Sequence, residues 1–195
     1  MGRCALAGLL GALALAAGAA AAAPAVGTLD RLMALLAQRR HGEVTFVERD
    51  DLRVLTRPLV SSGVLIYDAP DHLEKRTLEP RPGTFILDHG ELTVIQGDHT
   101  EHLELSAYPR IVPYVQAIAD TLAGNRAALE RLFQVRFAGT LAHWTLTLVP
   151  RRARPSGIRR IRITGSRAAL ATVEIVDRNG DRSLTRLGAA PGPRG

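Results

Sequence analysis

Apolar positions recur along this chain with two periods, one typical of helices and one typical of strands. Between Thr28 and Arg40 they lie three or four residues apart, which predicts an amphipathic helix. Thr28 is a suitable N-cap for that helix, and Gly42 is the kind of residue that ends one. The predicted apolar face consists of Leu29, Leu32, Met33 and Leu36.

The stretch from Gly63 to Leu92 contains short apolar runs separated by aspartate, proline and glycine. These turn-forming residues between apolar runs predict a meander of strands joined by tight turns. The predicted strands are Val64–Tyr67, Leu73–Leu78, Phe85–Leu87 and Leu92–Ile95. Further strands flank the meander. They are Val44–Glu48, its expected hairpin partner Leu52–Arg57, and the alternating segment His102–Ala107.

Helical spacing returns between Ile111 and Leu122, and Gly124 follows in the position where glycine commonly ends a helix. Asn125 is then predicted to cap a shorter helix. That helix carries Leu129, Leu132 and Phe133.

After Phe133 the apolar positions alternate again, in the sets Trp144/Leu146/Leu148, Ile161/Ile163 and Val173/Ile175. The Asn179-Gly180 dipeptide predicts a hairpin turn before a last strand, Leu184–Leu187. The predicted order is one helix, about six strands, two helices and about five strands. So many strands with so few helices indicate a curved sheet whose concave apolar face the helices cover.

The N-terminus has the pattern of a cleavable signal peptide over residues 1–23. Arg3 precedes an apolar run, Ala5–Ala17, and small residues follow it. The alternative, a membrane anchor, is disfavoured because the run is rich in alanine and glycine and lacks a charged flank. We therefore expect export to the periplasm, a single folded domain over residues 24–187, and a disordered tail over residues 188–195.

Composition narrows the function classes. The single cysteine, Cys4, lies within the predicted signal, so no disulfide or thiol chemistry is expected in the mature chain. The net charge is +6, and Lys75 is the only lysine among the basic residues. A basic exported protein suits anionic lipid headgroups or an acidic partner. Export argues against nucleic acid as a partner.

Several motifs match a known family by residue: Phe46, the approach Pro58–Gly63, Gly63-x-Leu65, Pro70-x-x-Leu73, Pro80 and Asp88-x-Gly90-x-Leu92. The second half matches mainly by pattern, in Gly124, Phe133 and Trp144-x-Leu146-x-Leu148-x-Pro150. In these positions the chain resembles a divergent branch of the LolA-like outer membrane lipoprotein carriers. The resemblance implies an α+β, mostly β fold: an unclosed antiparallel β half-barrel with an α-helical lid over an apolar cavity.

The resemblance also implies a monomeric periplasmic carrier with no catalytic residues and no cofactor. Its cargo would be an acylated lipoprotein or lipid, taken from an inner-membrane transporter and passed to an outer-membrane acceptor. Two alternatives stay open: a carrier for a glycolipid or polyene-lipid export system, and a periplasmic module that senses lipoproteins. An enzyme is a third, more remote alternative.

An acyl chain requires an apolar cavity, because each exposed CH₂ costs about 0.8 kcal/mol in water. We expect the lid to present Leu32, Leu36, Val115, Ile118 and Leu122. Each of these residues, and each of the cavity residues, is alternatively an ordinary core residue, since alternation marks burial and not binding. The residues expected to line the cavity are Phe46, Leu65, Tyr67, Phe85, Leu87, Leu92, Val94, Leu103, Leu105, Trp144, Leu146 and Leu148.

Two further patterns suggest chemistry. Arginines crowd residues 151–162, and Arg159 and Arg160 are candidates for docking onto an anionic surface; a solvated sheet edge is the alternative. His99 and His102 form the closest histidine pair, but on a strand that spacing places them on opposite faces. We therefore predict no metal site.

Overall fold

The computed structural model describes residues 26–107, 112–152 and 157–188. The N-terminal half comprises helix α1 (Val26–Ala37) and strands β1 (His41–Asp51), β2 (Leu59–Asp68), β3 (His72–Glu79), β4 (Gly83–Asp88), β5 (Glu91–Gln96) and β6 (His99–Glu104). A short 3₁₀ helix, Leu105–Ala107, follows β6. The C-terminal half comprises α2 (Val112–Leu122), α3 (Arg126–Leu132), β7 (Phe133–Gly139), β8 (Trp144–Pro150), β9 (Ile158–Ser166), β10 (Ala169–Asp177) and β11 (Arg182–Leu187).

The described strands form one eleven-stranded sheet in the order β6-β5-β4-β3-β2-β1-β11-β10-β9-β8-β7. Every neighbouring pair is antiparallel. Strands β1 and β11 join the two halves of the chain at the middle of the sheet, with Phe46 opposite Leu187. The edges, β6 and β7, do not pair with each other. The predicted mostly β, unclosed half-barrel with three helices is therefore confirmed.

The strand registers bring apolar residues into rows on the concave face. Tyr67 lies opposite Leu73, and Leu73 lies opposite Leu87. Leu92 continues this row beyond Leu87 on β5. Directly opposed residues on neighbouring strands contact each other on one face of a sheet. The meander predicted from the turn residues is thus confirmed as four paired strands.

The densest core lies on the C-terminal half of the sheet, where α1 and α3 pack against it. The α1 residues Leu32 and Leu36 and the α3 residue Leu129 are fully or almost fully buried there. Their burial agrees with the spacing that predicted an apolar face on α1. The same cluster takes in Phe133, Phe137, Trp144, Leu146, Leu148, Ile158, Ile161, Ile163 and Val173.

The junction between α2 and α3 follows the sequence signals. Gly124 has φ +64°, and a Cβ there would lie 2.1 Å from the carbonyl oxygen of Met33 in α1. Glycine is therefore required both by the backbone conformation and by the close approach of α1. Asn125 caps α3 by accepting a hydrogen bond from the backbone N–H of Ala128, at 3.1 Å.

Five local predictions differ from the structure. Thr28 lies inside α1, which begins at Val26, and does not cap it. Phe133 is the first residue of β7 and not part of α3. Leu52–Arg57 is not a strand, because the partner of β1 begins later, at Leu59. The intervening loop is held by Arg53, whose backbone N–H donates to Asp181. Gly42 pairs with Tyr67 within β1 instead of ending α1. The strand expected to reach Ala107 ends at Glu104.

The predicted signal peptide lies outside the described residues, as does the predicted tail apart from Gly188. The N–H of Gly188 donates to the carbonyl oxygen of Thr45, which extends the β1–β11 pairing by one residue. Among the helices in the described ranges, none has the length and apolar character that crossing a membrane requires.

Candidate functional site

A cavity of about 570 Å³ lies between α2 and the concave face of the sheet. This volume is typical of small-molecule binding pockets, which range from about 300 to 1,000 Å³. Its floor comes from β1 to β5 and from β10 and β11. The apolar side chains that line it are Val44, Leu65, Ile66, Tyr67, Leu73, Phe85, Leu87, Leu92, Val115, Ile118, Leu122, Leu170, Val173, Ile175 and Leu187.

Helix α2 forms the lid of the cavity. Its apolar residues recur at helical spacing, so they lie on one side of the helix. Val115, Ile118 and Leu122 face the cavity from one side of the helix. Near its start, the hydroxyl of Tyr114 donates a hydrogen bond to Asp177 Oδ1 at 2.6 Å. Burial and the hydrogen bond to Asp177 raise the pKa of Tyr114. The lid is thereby attached to the end of β10 by a neutral phenol and a carboxylate.

Charged side chains interrupt the apolar lining. Arg39 and Glu43 border the cavity, and so do Glu48 and Lys75, which pair with each other. The ammonium group of Lys75 on β3 contacts the carboxylate of Glu48 on β1, and both residues line the cavity. The Lys75 Nζ also lies 5.0 Å from the centre of the Phe46 ring, a cation–π distance. Ser183 and Thr185 on β11 donate hydrogen bonds to Glu48 Oε1, at 3.2 and 3.1 Å.

Sequence reasoning missed this pair. A signal was available, because Lys75 is the only lysine and follows Leu73 by two positions, which places both on the same face of a strand. Glu48 follows Phe46 by two positions in the same way. The pairing of β1, β2 and β3 that brings Glu48 and Lys75 together is a long-range contact that neither segment encodes by itself.

The N-terminal half of the sheet holds most of the residues expected to line the cavity. Leu65, Tyr67, Phe85, Leu87 and Leu92 do line it. Phe46 is buried beside the pair formed by Glu48 and Lys75 and does not reach the cavity. The remaining members of this half, Val94, Leu103 and Leu105, also lie outside its lining.

The C-terminal half requires a correction. Trp144, Leu146 and Leu148 were expected in the cavity, but they are buried in the packed core. Leu32 and Leu36 of α1 were expected in the lid, and they fill the space above those strands as part of the same core. The physical reason is that α1 covers this part of the concave face and leaves no room for a ligand. The lid residues that reach the cavity, Val115, Ile118 and Leu122, all lie on α2.

The two candidate docking arginines have different environments. Arg159 is exposed. Arg160 is half-buried, and its Nη2 lies 3.6 Å from Glu174 Oε2. Because Arg182 also donates to Glu174, at 2.7 Å, Arg160 belongs to an ion-pair network on β9, β10 and β11.

The histidines lie away from the cavity lining. His99 contacts Glu101 at 2.9 Å, whereas His102 contacts Glu91 at 2.9 Å and Thr93 at 3.1 Å. Within the described ranges, one group of three potential metal ligands lies together, Asp71, Asp88 and His89, at the turns after β2 and β4. His89 is hydrogen-bonded to Asp88 at 2.7 Å, and its Nε2 lies 3.9 Å from Asp71 Oδ2.

Several solved structures resemble this one over most of the chain. The structure resembles a LolA superfamily protein from Nitrosomonas europaea at 10% identity, with 84% of this chain and 90% of that chain covered and a TM-score of 0.43. It resembles the lipoprotein LppX of Mycobacterium tuberculosis at 10% identity, with 88% and 99% covered and a TM-score of 0.44. It resembles MucB at 15% identity, with 86% and 60% covered and a TM-score of 0.43.

A comparison of the sequence with curated proteins finds no significant match. The model of one protein family, in contrast, matches residues 17–192, which is most of the chain. The chain belongs to the family described as outer membrane lipoprotein carrier protein LolA-like.

Proposed function

We propose that this protein carries acyl chains of a lipoprotein or a related lipid through the periplasm toward the outer membrane. The observation that carries the proposal is the apolar cavity under α2, with its volume of about 570 Å³. Membership of the LolA-like family supports the same function.

The lining suits hydrocarbon. Transfer of each CH₂ from water into an apolar site contributes about 0.8 kcal/mol. The row formed by Tyr67, Leu73, Leu87 and Leu92 offers a continuous apolar surface across four strands. Such a surface holds a chain by shape and burial, so cargoes with different headgroups or protein parts can share it.

Loading and release require α2 to move. The lid contacts the cavity through Val115, Ile118 and Leu122, and its polar link to the sheet is the bond from Tyr114 to Asp177. Opening α2 breaks this hydrogen bond and uncovers the apolar face of the helix, including the buried Ala117, but it leaves α1 packed on the strands of the core. We therefore propose that α2 opens while the rest of the structure stays folded.

Binding, and not catalysis, is the activity we propose for this cavity. Two of its charged groups, Glu48 and Lys75, form an ion pair with each other. We further propose an inner-membrane transporter as donor and an outer-membrane acceptor as recipient. Arg159, which is exposed, is the better of the two docking candidates. Unchanged transfer by a folded Arg159→Glu protein would remove it from that role.

Native mass spectrometry tests the proposal on protein purified from the periplasm. We expect adducts whose extracts contain acyl chains, either as an acylated lipoprotein or as a smaller lipid. The fragment masses distinguish lipoprotein from glycolipid or polyene lipid. A protein that is recovered folded and without any acyl-bearing adduct, and that also fails to bind added acyl lipids, contradicts the proposal.

A further inference from the structure

The pair formed by Glu48 and Lys75 is unusual because it lies between apolar side chains in a cavity whose lining is mostly apolar. Lys75 lies between Leu65 on β2 and Phe85 on β4, and all three residues line the cavity. Removing charged groups from water costs several kcal/mol unless their partners compensate. A pair in this position therefore calls for a reason beyond the stability of the sheet.

The hydrogen-bonding capacity of the pair is used unequally. Glu48 is well satisfied: its Oε1 accepts from Ser183 and Thr185, and its Oε2 accepts from Lys75. A lysine ammonium group has three N–H donors. Within the described part of the chain, Glu48 is its one hydrogen-bond acceptor, and 31% of the Lys75 side chain is exposed. The ammonium group of Lys75 therefore has N–H donors available for a further hydrogen bond.

The surrounding charge indicates which acceptor fits. Glu48 neutralises Lys75, and Asp50, two residues further along β1, interacts electrostatically with both. The local charge is therefore not positive, so an anionic group gains little here. An uncharged oxygen acceptor can use the free N–H groups without this electrostatic cost. Lys75 is also two residues along β3 from Leu73, on the same face as the apolar row that begins at Tyr67 and Leu73.

We propose that Lys75 donates a hydrogen bond to the carbonyl oxygen of the ester or amide that joins an acyl chain to its carrier molecule. This inference rests on the proposed function and adds the chemistry by which the cavity selects its ligand. The hydrocarbon lies along the apolar row, and the carbonyl group sits beside Lys75. The site then prefers acyl chains over alkyl chains of the same length.

Two diglycerides that differ only in their carbonyl oxygens test this inference. Dioleoylglycerol carries two esters, whereas dioleylglycerol has ether links to chains of equal length. Each lipid is titrated against a fluorescent fatty-acid probe bound to the full-length mature protein. We expect wild type to prefer the ester by about tenfold, the size of one hydrogen bond from a charged donor.

Variants assign that preference to Lys75. Lys75→Met should bring the affinity ratio of ester to ether close to one. Because this change leaves Glu48 without its cation, the double variant Glu48→Gln/Lys75→Met is measured as well and should give the same ratio. Arg76→Met is the matched control, since Arg76 is next to Lys75 on the other face of β3 and pairs with Glu74 at 2.6 Å. It should keep the preference.

The remaining outcomes separate the two proposals. Equal binding of ester and ether by wild type, or a preference that persists in both Lys75 variants, overturns the inference and leaves the carrier function intact. Binding of neither lipid overturns both. Dioleoylphosphatidylglycerol is a third probe, and a preference for it over dioleoylglycerol that Lys75→Met abolishes would show an anionic-headgroup site instead.

Discussion

The two halves of the sheet carry the same alternation of apolar residues and use it differently. In the C-terminal half, Leu146 and Ile163 lie opposite each other and are completely buried beneath α1 and α3. In the N-terminal half, Leu65 lies opposite Val44 and borders the cavity beneath α2. The difference is made by the helices that cover each half. A covered concave face becomes core, and a partly covered one becomes a binding cavity.

The strongest way to break this comparison is to truncate one leucine in each half. Leu146→Ala should lower the free energy of unfolding by about 3 kcal/mol, because it removes packed methyl groups and leaves a hole. Leu65→Ala should cost about 1 kcal/mol or less, because its side chain already borders an open cavity. Urea unfolding measures both. Equal losses would mean that the two halves are equally well packed.

The sequence predicted those parts of the fold that depend on local signals. The spacing of Leu29, Leu32, Met33 and Leu36 predicted α1, and Asn125 predicted the start of α3. Asn179-Gly180 predicted the final hairpin, where Gly180 has φ +94°. These signals depend on residues within a few positions of one another, so they are visible without the tertiary structure.

The sequence could not assign the two halves their roles. Trp144, Leu146 and Leu148 alternate as regularly as Phe85, Leu87 and Leu92 do in their strands, and alternation reports only that one face is covered. Which helix covers which face depends on how α1 and α2 pack, and those contacts join residues far apart in the chain. The pair formed by Glu48 and Lys75 was missed for the same reason.

Filling the cavity should separate binding from folding. Leu65→Trp places an indole where a chain would lie and displaces at least two CH₂ groups, so affinity for an acyl lipid should fall about tenfold. Val47→Trp is the control, because Val47 is 48% exposed and lies on the outer face of β1. It should bind as wild type does. Titration with a fluorescent fatty acid measures both, and undiminished binding by folded Leu65→Trp would place the ligand elsewhere.

The lid should be easier to release than the helix over the core. Tyr114→Phe removes the hydrogen bond to Asp177 and should destabilise the closed lid by about 1 kcal/mol. Hydrogen exchange should then accelerate in α2, by roughly fivefold on this estimate, and stay unchanged in α1. Equal acceleration in both helices would show that they open as one unit and that the two halves are not independent.

A pH-dependent effect is expected from Asp120, on α2, whose pKa is raised to about 6 by burial, against the opposing attraction of Arg131. A carboxyl that binds its proton more tightly in the folded state makes stability fall as pH rises from about 4 to about 6. Asp120→Asn should therefore be more stable than wild type by about 1 kcal/mol above pH 6, after allowance for its partial exposure. The stability advantage of Asp120→Asn should vanish below about pH 4, where Asp120 is protonated in both the folded and the unfolded state of wild type.

Urea unfolding of wild type and Asp120→Asn at several pH values measures this effect, and the difference between the two curves cancels the other titrating groups. Hydrogen exchange at pH 7 locates the effect. If the charge of Asp120 destabilises the lid alone, exchange in Asp120→Asn should be slower than in wild type in α2 but not in α1. A pH-independent difference between the two proteins would show that the ionised carboxyl is not disfavoured in the folded state. Slowing spread evenly over α1 and α2 would show instead that the charge strains the packed half as much as it strains the lid.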